Sequence, residues 1–320
     1  MNDILLKTED LTKHFPLPNK RIQKALNGVS IEIFQGETLG IVGESGCGKS
    51  TLARTIMGVH APTKGQFFYR EEPVDLTSRR ARVAYAKKVQ MVFQDPYASL
   101  DPRMTVEAII SENLEIHTSL KQQIKHDRVI ELLAMVGLDE EHARRYPHEF
   151  SGGQRQRIGI ARALAVQPEL LVCDEPISAL DLSVQSQIMN LFVRLREEYN
   201  LTYLFIAHDL RMVRAISTRI AVMYLGYVVE IAESADLYGT PLHPYTIMLL
   251  QAELDADPSR NTLQNAAAIQ GELSRVDKSP QSGCPFAPRC SRVQDICHQH
   301  NPTLRTMSPG HLVACHCVDD

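Results

Sequence analysis

A glycine-rich loop between an apolar segment and a helical pattern constrains this sequence more than any other feature. The loop fits the spacing G-x-x-x-x-G-K-[ST] and consists of Gly43, Glu44, Ser45, Gly46, Cys47, Gly48, Lys49, Ser50 and Thr51. Glycine tolerates positive φ, so such a loop can wrap a phosphate chain, and its N–H groups and the helix start attract the anion. The motif predicts that Lys49 contacts the β- and γ-phosphates and that Ser50 binds Mg²⁺. The alternative is an unrelated glycine turn before a helix.

A pair of carboxylates follows another apolar segment. Residues 170–173 are Leu-Leu-Val-Cys, and Asp174 and Glu175 come directly after them. Because ligands of parallel sheets bind beyond the carboxyl ends of strands, Asp174 is predicted to hold Mg²⁺ through water. Glu175 is predicted to polarise the water that attacks the γ-phosphate. Considered alone, the pair is explained equally well as a helix N-cap.

A second glycine-rich helix start is formed by Ser151, Gly152, Gly153 and Gln154, which precede an apolar helical pattern. Such a start also favours an anion. One nucleotide cannot easily use two helix starts of the same chain. We therefore predict that each ATP lies between two chains, with the phosphate loop from one and Ser151–Gln154 from the other. The alternative is a structural N-cap with a tight turn.

The alternation of apolar segments and helical patterns predicts an α/β fold with a doubly wound parallel core. A β-rich opening extends to about residue 70, and alternation at 29–33 predicts a strand within it. Further predicted strands are 38–42, 170–173 and 203–206. The predicted helices are 106–116, 124–136 and 184–199.

Residues 3 to about 240 resemble the ATP-binding cassette ATPases, because the family's motifs occur in order. The further matching residues are Gln94 of the Q-loop, Ser178 and Asp181 of the D-loop, the switch histidine His208, and Phe15 at the position of an adenine-stacking aromatic. Phe150 stands where many members have leucine. Taken singly, His208 and Phe15 are each better explained as core side chains than as functional residues.

The resemblance implies a RecA-like P-loop core with an N-terminal antiparallel β-subdomain and an inserted helical subdomain at about 97–165. It implies catalytic roles for Glu175, His208 and Gln94, and Mg²⁺ bound by Ser50, Gln94 and Asp174. ATP would close two cassettes into a sandwich, and hydrolysis would open it. Residues 97–103 would contact a membrane partner, so that Gln94 couples nucleotide state to transport.

From about residue 241 the sequence is similar to the C-terminal extension of dipeptide and oligopeptide permease ATPases, more narrowly the F-type subunit. Its cysteines follow the spacing C-x5-C-x6-C-x17-C and are Cys284, Cys290, Cys297 and Cys315. The resemblance favours a [4Fe–4S] cluster on these thiolates, with tetrahedral Zn²⁺ or unligated cysteines as alternatives. Cys317, His316 or His298 could replace the fourth ligand. Residues 255–283 are predicted to be linker-like.

Composition limits the partners. The 34 basic and 38 acidic residues give a net charge of −4, which argues against nucleic acid as a partner. No signal peptide or membrane span is recognisable, so we expect a peripheral protein at the cytoplasmic face of the cell membrane. The resemblance implies a second, related ATPase subunit, two permease subunits and, indirectly, an extracytoplasmic substrate-binding protein.

Three alternatives to peptide import remain at this point. The same mechanism suits nickel, another metal complex or cationic peptides as cargo. A non-transport cassette protein usually has two cassettes in one chain or a coiled-coil insertion, and this chain has neither. In a binding module without turnover, Glu175 would have no catalytic role.

Cys47 lies inside the phosphate loop, next to N–H groups and Lys49. Positive charge lowers the pKa of a thiol, so we expect Cys47 to react with alkylating agents, which would block ATP binding. The alternative is that Cys47 is only a small residue that fits the loop.

Overall fold

The computed structural model describes residues 3–255 and 282–318, so the predicted linker lies almost wholly outside the described residues. The strands are β1 (Ile4–Pro16), β2 (Ile22–Val29), β3 (Glu32–Phe34), β4 (Thr38–Val42), β5 (Lys64–Tyr69), β6 (Glu72–Pro73), β7 (Val89–Val92), β8 (Leu170–Asp174), β9 (Thr202–Ile206), β10 (Arg219–Tyr224), β11 (Tyr227–Glu233), β12 (Arg305–Ser308) and β13 (His311–Val313). The helices are α1 (Lys49–Ile56), α2 (Arg79–Lys88), α3 (Val106–His117), α4 (Gln122–Met135), α5 (Gly152–Leu164), α6 (Leu182–Tyr199), α7 (Leu210–Ile216), α8 (Ser234–Gly239), α9 (Pro244–Asp255) and α10 (Asp295–Gln299).

The N-terminal strands form a small antiparallel sheet in the order β2-β1-β5-β6, with β3 also paired to β1. The β-rich opening is thereby confirmed, but the single strand predicted at 29–33 is wrong. The chain leaves β2 at Val29 and enters β3 at Glu32. At this crossing the Thr8 hydroxyl donates to the Val29 carbonyl and accepts from the Ile31 N–H. A side chain of β1 therefore satisfies backbone groups that a continuous strand would have paired.

The central sheet has the order β12-β13-β11-β10-β4-β9-β8-β7. Strands β7, β8, β9, β4 and β10 are mutually parallel. Both faces of this part are covered, as β8 illustrates. Leu170 and Val172 pack with the antiparallel sheet and α1, whereas Leu171 and Cys173 pack with the helices on the other face. Burial on both faces explains why the predicted strands are continuous apolar runs rather than alternating ones.

The helical segment between β7 and β8 contains α3, α4 and α5. The three long helices predicted from apolar spacing are α3, α4 and, after β8, α6, each within a few residues of its predicted ends. Local capping fixes two of the helix starts. The Thr105 side chain accepts from the Ala108 N–H before α3, and Ser151 accepts from the Gln154 N–H before α5. Such caps satisfy N–H groups that have no partner within the helix. Among the helices of residues 3–255 and 282–318, none combines the length and apolarity needed to cross a bilayer.

The C-terminal hairpin of β12 and β13 extends the central sheet by pairing with β11. Glu230 of β11 is completely buried and joins three parts of the chain. Its carboxylate accepts from the N–H groups of Leu242 and His243 at 2.8 and 3.0 Å and contacts the His311 ring at 2.7 Å. A buried carboxylate is costly unless it is paired in this way. The network therefore fixes the start of α9 and the hairpin onto the sheet.

His243, whose N–H belongs to this network, makes the stability of the fold sensitive to acid. Burial lowers the pKa of His243 to about 4, against about 6.5 in an unfolded chain. Between these values the unfolded chain binds the proton more tightly, so stability is fully present above pH 6.5 and is lost as the pH falls. We expect His243→Asn to lose less stability than wild type on going from pH 7.5 to 5, by about 2 kcal/mol. Urea unfolding at both pH values measures this, and equal losses in both proteins would contradict it.

Candidate functional site

The candidate site lies where the parallel strands end. The phosphate loop follows β4, Glu175 follows β8, His208 lies just beyond β9, and Gln94 lies just beyond β7. Because parallel neighbours point the same way, their carboxyl ends share one edge of the sheet. This strand order brings together residues that are separated by up to 165 positions in the chain.

The phosphate loop has the backbone that its glycines allow. Gly43 and Gly48 adopt φ of +149° and +115°. A Cβ on Gly43 would lie 2.1 Å from the Met223 carbonyl oxygen, and one on Gly48 would lie 2.4 Å from that of Ala25. Both positions therefore require glycine for space as well as for conformation. The loop ends at α1, whose N-terminal N–H groups are available to an anion.

Lys49 points back into the loop. Its Nζ donates to the Gly43 carbonyl at 2.7 Å and to the Glu44 carbonyl at 3.2 Å. The residue is buried, so these carbonyls provide the partners that a buried ammonium needs. The ammonium is thus held at the centre of the loop.

Ser50 and Asp174 are side by side, as the predicted metal site requires. The Ser50 hydroxyl donates to Asp174 Oδ1 at 2.9 Å. Asp174 is 3% exposed, and this burial raises the pKa of its carboxyl against the opposing influence of Ser50 and Arg54. A hydroxyl and a carboxylate are oxygen donors of the kind that Mg²⁺ prefers. The two side chains therefore fit a magnesium site. Gln94, the third predicted ligand, directs its Nε2 at Glu175 instead.

Glu175, which follows β8, contacts polar side chains that follow the two neighbouring strands, β7 and β9. Gln94 Nε2 donates to Glu175 Oε2 at 2.9 Å, and His208 Nδ1 lies 3.8 Å from the same oxygen. The Glu175 backbone has φ of +48°, which is unusual outside glycine. Its N–H donates to the Ile206 carbonyl at 2.9 Å, and the Ser178 side chain donates to its carbonyl at 3.1 Å. Strained backbone held by such bonds is concentrated at functional sites.

The second helix start has the side-chain N-cap that was the structural alternative for this motif. Ser151 and Gln154 form a reciprocal capping box, with the Ser151 N–H donating to Gln154 Oε1 at 3.0 Å. Ser151 is exposed, as is Asp181 at the start of α6. Leu182, the next residue, is 80% exposed. This cap and the start of α6 therefore present polar and apolar groups outward.

Phe15 is partly buried, and its ring meets that of His60 edge-on at 5.2 Å. The ammonium of Lys13 lies 4.9 Å from the Phe15 ring centroid. The contacts of Phe15 are thus at the rim of the antiparallel sheet and not in its core.

The prediction that the thiol pKa of Cys47 is lowered, which made this residue reactive, is wrong. Cys47 is 1% exposed, and burial raises the pKa of its thiol although Lys49 favours the thiolate. The sequence places a positive charge beside the thiol but does not indicate the desolvation, which is the larger effect.

The five C-terminal cysteines are neighbours without forming a metal-binding geometry. Cys297 Sγ lies 3.8 Å from Cys317 Sγ, and the Cys317 N–H donates to Cys315 Sγ at 3.4 Å. Over residues 3–255 and 282–318, no three or more His, Cys, Asp or Glu side chains are arranged to hold a metal ion. The structure therefore supports neither the expected [4Fe–4S] cluster on Cys284, Cys290, Cys297 and Cys315 nor the zinc alternative. His316, a predicted substitute, contacts the His300 carbonyl instead.

Two residues beyond the cassette reach the phosphate loop and were missed from sequence. Arg289 makes two hydrogen bonds to the Glu44 carboxylate, and the Glu44 N–H donates to the Tyr245 hydroxyl at 2.9 Å. No spacing or motif links positions that are more than 200 residues apart. An arginine in a cysteine-rich segment and an acidic residue inside an anion-binding loop were the only available signals.

Cys47 is expected to resist alkylation in the folded protein because it is buried and remains a thiol at neutral pH. With iodoacetamide at pH 7.5, peptide mass spectrometry should find Cys47 unmodified while the partly exposed Cys290 reacts. Cys47 should become modified in urea. Rapid labelling of Cys47 without denaturant would contradict this expectation.

Comparisons with known proteins agree with this geometry. The ABC transporter family matches residues 26–178, and the oligopeptide/dipeptide transporter C-terminal region matches residues 229–297. The oligopeptide transport ATP-binding protein OppF of Bacillus subtilis (strain 168) is 49% identical over 98% of this chain and 97% of its own length. The dipeptide transport ATP-binding protein DppF of Escherichia coli (strain K12) is 42% identical over 98% of this chain and 95% of its own.

Solved structures show the same cassette fold. The ATP-binding cassette MJ0796, in a dimeric post-hydrolysis state bound to ADP and Pi, superposes with a TM-score of 0.66 at 31% identity. The match covers 72% of this chain and 99% of MJ0796. With its matched motifs, this chain belongs to the ABC transporter family as the ATP-binding, ATP-hydrolysing subunit of an oligopeptide/dipeptide importer.

Proposed function

We propose that this chain hydrolyses ATP with Glu175 as the group that activates water, at a site shared with a second cassette. The observation that supports this most directly is the convergence of four strand ends, which brings the contacting pair Ser50–Asp174 beside the Gln94–Glu175–His208 contact. Phosphoryl transfer depends mainly on positioning and on charge stabilisation, and this edge of the sheet supplies both.

The phosphate loop and Lys49 bind the triphosphate. Lys49 exchanges its loop carbonyl partners for the β- and γ-phosphate oxygens, and the N–H groups of the loop and of α1 donate to the same anion. Ser50, Asp174 and Gln94 would hold Mg²⁺. When bound, the ion would neutralise phosphate charge.

Glu175 accepts a hydrogen bond from the attacking water and increases its nucleophilicity. Gln94 and His208 both lie against the same carboxylate oxygen. They are therefore able to respond together when the γ-phosphate arrives and leaves. His208, which is exposed in this chain alone, donates to the γ-phosphate.

A second cassette completes the site. Ser151, Gly152, Gly153 and Gln154 of one subunit cap the γ-phosphate held by the loop of the other, and Ser178 and Asp181 line the contact. The exposure of Ser151, Asp181 and Leu182 supports an interface at this surface. A dimeric state of the similar cassette MJ0796 supports the same arrangement. Phe15 stacks on adenine.

The complete transporter has further subunits. We assign a second, related ATPase and two membrane permease subunits to it, with this chain at the cytoplasmic face of the membrane. The substrate-binding protein lies on the far side and selects the peptide. Tyr97 is 57% exposed and follows Gln94 closely. Residues 97–103 therefore form a suitable contact for the permease, linking transport to the nucleotide.

Glu175→Gln is expected to retain ATP binding and to reduce turnover at least about a hundredfold, because the amide cannot accept the proton from water. Phosphate release by the purified transporter and equilibrium binding of a fluorescent ATP analogue measure the two effects. Turnover equal to wild type would remove Glu175 from its proposed role.

Lys49→Ala and Ser151→Ala are expected to fail at different steps. Loss of Lys49 should abolish ATP binding to the isolated chain, whereas loss of Ser151 should leave that binding in place and reduce turnover of the complete transporter about tenfold or more.

Thr105→Ala is the matched control for Ser151→Ala. Each variant removes a side-chain N-cap, at a cost of about 1 kcal/mol in stability, but Thr105 caps α3 and not α5, whose start is proposed to meet the second nucleotide. Equal turnover of the two cap variants would show that Ser151 acts only as a cap.

A further inference from the structure

Glu44 raises an electrostatic difficulty that the nucleotide site has to overcome. It lies in the phosphate loop, directly after Gly43, where the surrounding N–H groups and Lys49 attract negative charge. A carboxylate in such a loop repels the triphosphate by Coulomb's law. The repulsion is reduced only if an adjacent positive charge neutralises Glu44.

Arg289 provides this charge with a specific geometry. Its Nη1 and Nη2 donate to the two carboxylate oxygens of Glu44, each at 3.0 Å. Both side chains are 22% exposed, so the pair is only partly screened by water. A bidentate arginine–carboxylate pair fixes orientation as well as charge.

The surroundings of Arg289 hold its guanidinium in place. Its carbon Cζ lies 5.8 Å from the Tyr224 ring centroid and 5.9 Å from that of Phe286. These two rings meet edge-on at 5.3 Å, and Tyr245 packs against both. The aromatic cluster thus anchors the C-terminal segment beside the end of β10.

The backbone of Glu44 is held from the same side. Its N–H donates to the hydroxyl of Tyr245, which is completely buried at the start of α9. The side chain and the main chain of one loop residue are therefore both bound by residues from the last quarter of the chain.

We propose that Arg289 is a positioning residue for ATP binding, which neutralises Glu44 and holds its carboxylate away from the phosphate cradle. This role rests on the proposed nucleotide site. It gives the C-terminal segment a part in ATP affinity through charge and loop geometry, without contact between Arg289 and the nucleotide.

The test uses the full-length chain and a fluorescent ATP analogue, with the dissociation constant measured at equilibrium. Arg289→Met should weaken binding about tenfold, whereas Arg289→Lys, which keeps the charge but not the bidentate geometry, should weaken it about threefold. Glu44→Gln should bind about two- to threefold more tightly, because Arg289 then remains without its counter-charge.

The double variant Arg289→Met/Glu44→Gln separates neutralisation from general structural support. With both charges removed, its affinity should return to within about twofold of wild type. If the double variant binds as weakly as Arg289→Met, or if Arg289→Met binds like wild type, the proposal is wrong. Should Arg289→Met fail to fold, the order Glu44→Gln, wild type, Arg289→Lys in decreasing affinity provides the same decision.

Two controls separate a failure of the proposed role of Arg289 from a failure of the nucleotide site on which it rests. Arg219→Met breaks a comparable ion pair with Glu37, at 3.2 Å and away from the loop, so it should lower the thermal midpoint without changing ATP affinity. Lys49→Ala should abolish binding if the nucleotide site itself is correct. Binding that survives Lys49→Ala overturns the site, whereas a normal Arg289→Met with an inactive Lys49→Ala overturns only the role of Arg289.

Discussion

The parallel pairing of β4 with β9 and β10 determines where the functional groups of this protein meet. Val42 lies in register with Val222, and Ile41 with Ile206, so β4 ends level with its neighbours at the middle of the sheet. The chain can then turn into the phosphate loop with β8 and β7 two and three strands away on one side. If β4 were placed farther from β8 and β7 in the sheet order, the acidic and glutamine side chains would lie out of reach of the phosphate loop.

The phosphate loop is shaped before any nucleotide is present. Lys49 is bonded to the loop's own carbonyls, the Cys47 carbonyl accepts from the Gly226 N–H at 2.7 Å, and Glu44 is tied to Tyr245 and Arg289. Binding then requires a local exchange of partners by Lys49 and little ordering of backbone. Because ordering a residue costs about 1–2 kcal/mol, a loop already held from several sides loses less free energy when its ligand arrives.

The sequence predicts those parts of the molecule that depend on neighbours along the chain. Continuous apolar runs identified β4, β8 and β9, and the loop glycines identified the cradle, because strand burial and positive φ are local requirements. The thiol of Cys47 was misjudged since sequence shows its charged neighbours and not its desolvation. Arg289 was missed because its contact with Glu44 spans 245 positions. Contacts of that range follow from packing of the whole fold.

The pairing of β13 with β11 also bears on how this protein avoids self-association. Without the terminal hairpin, β11 would end the central sheet as an open strand with bare N–H and C=O groups, and Val229 and Ile231 would lie along it. Such an apolar margin is a template for pairing with other chains. The hairpin covers it and leaves β12 outermost, a strand of four residues with an arginine, a threonine and a serine. The hairpin of β12 and β13 thus protects this sheet edge from aggregation.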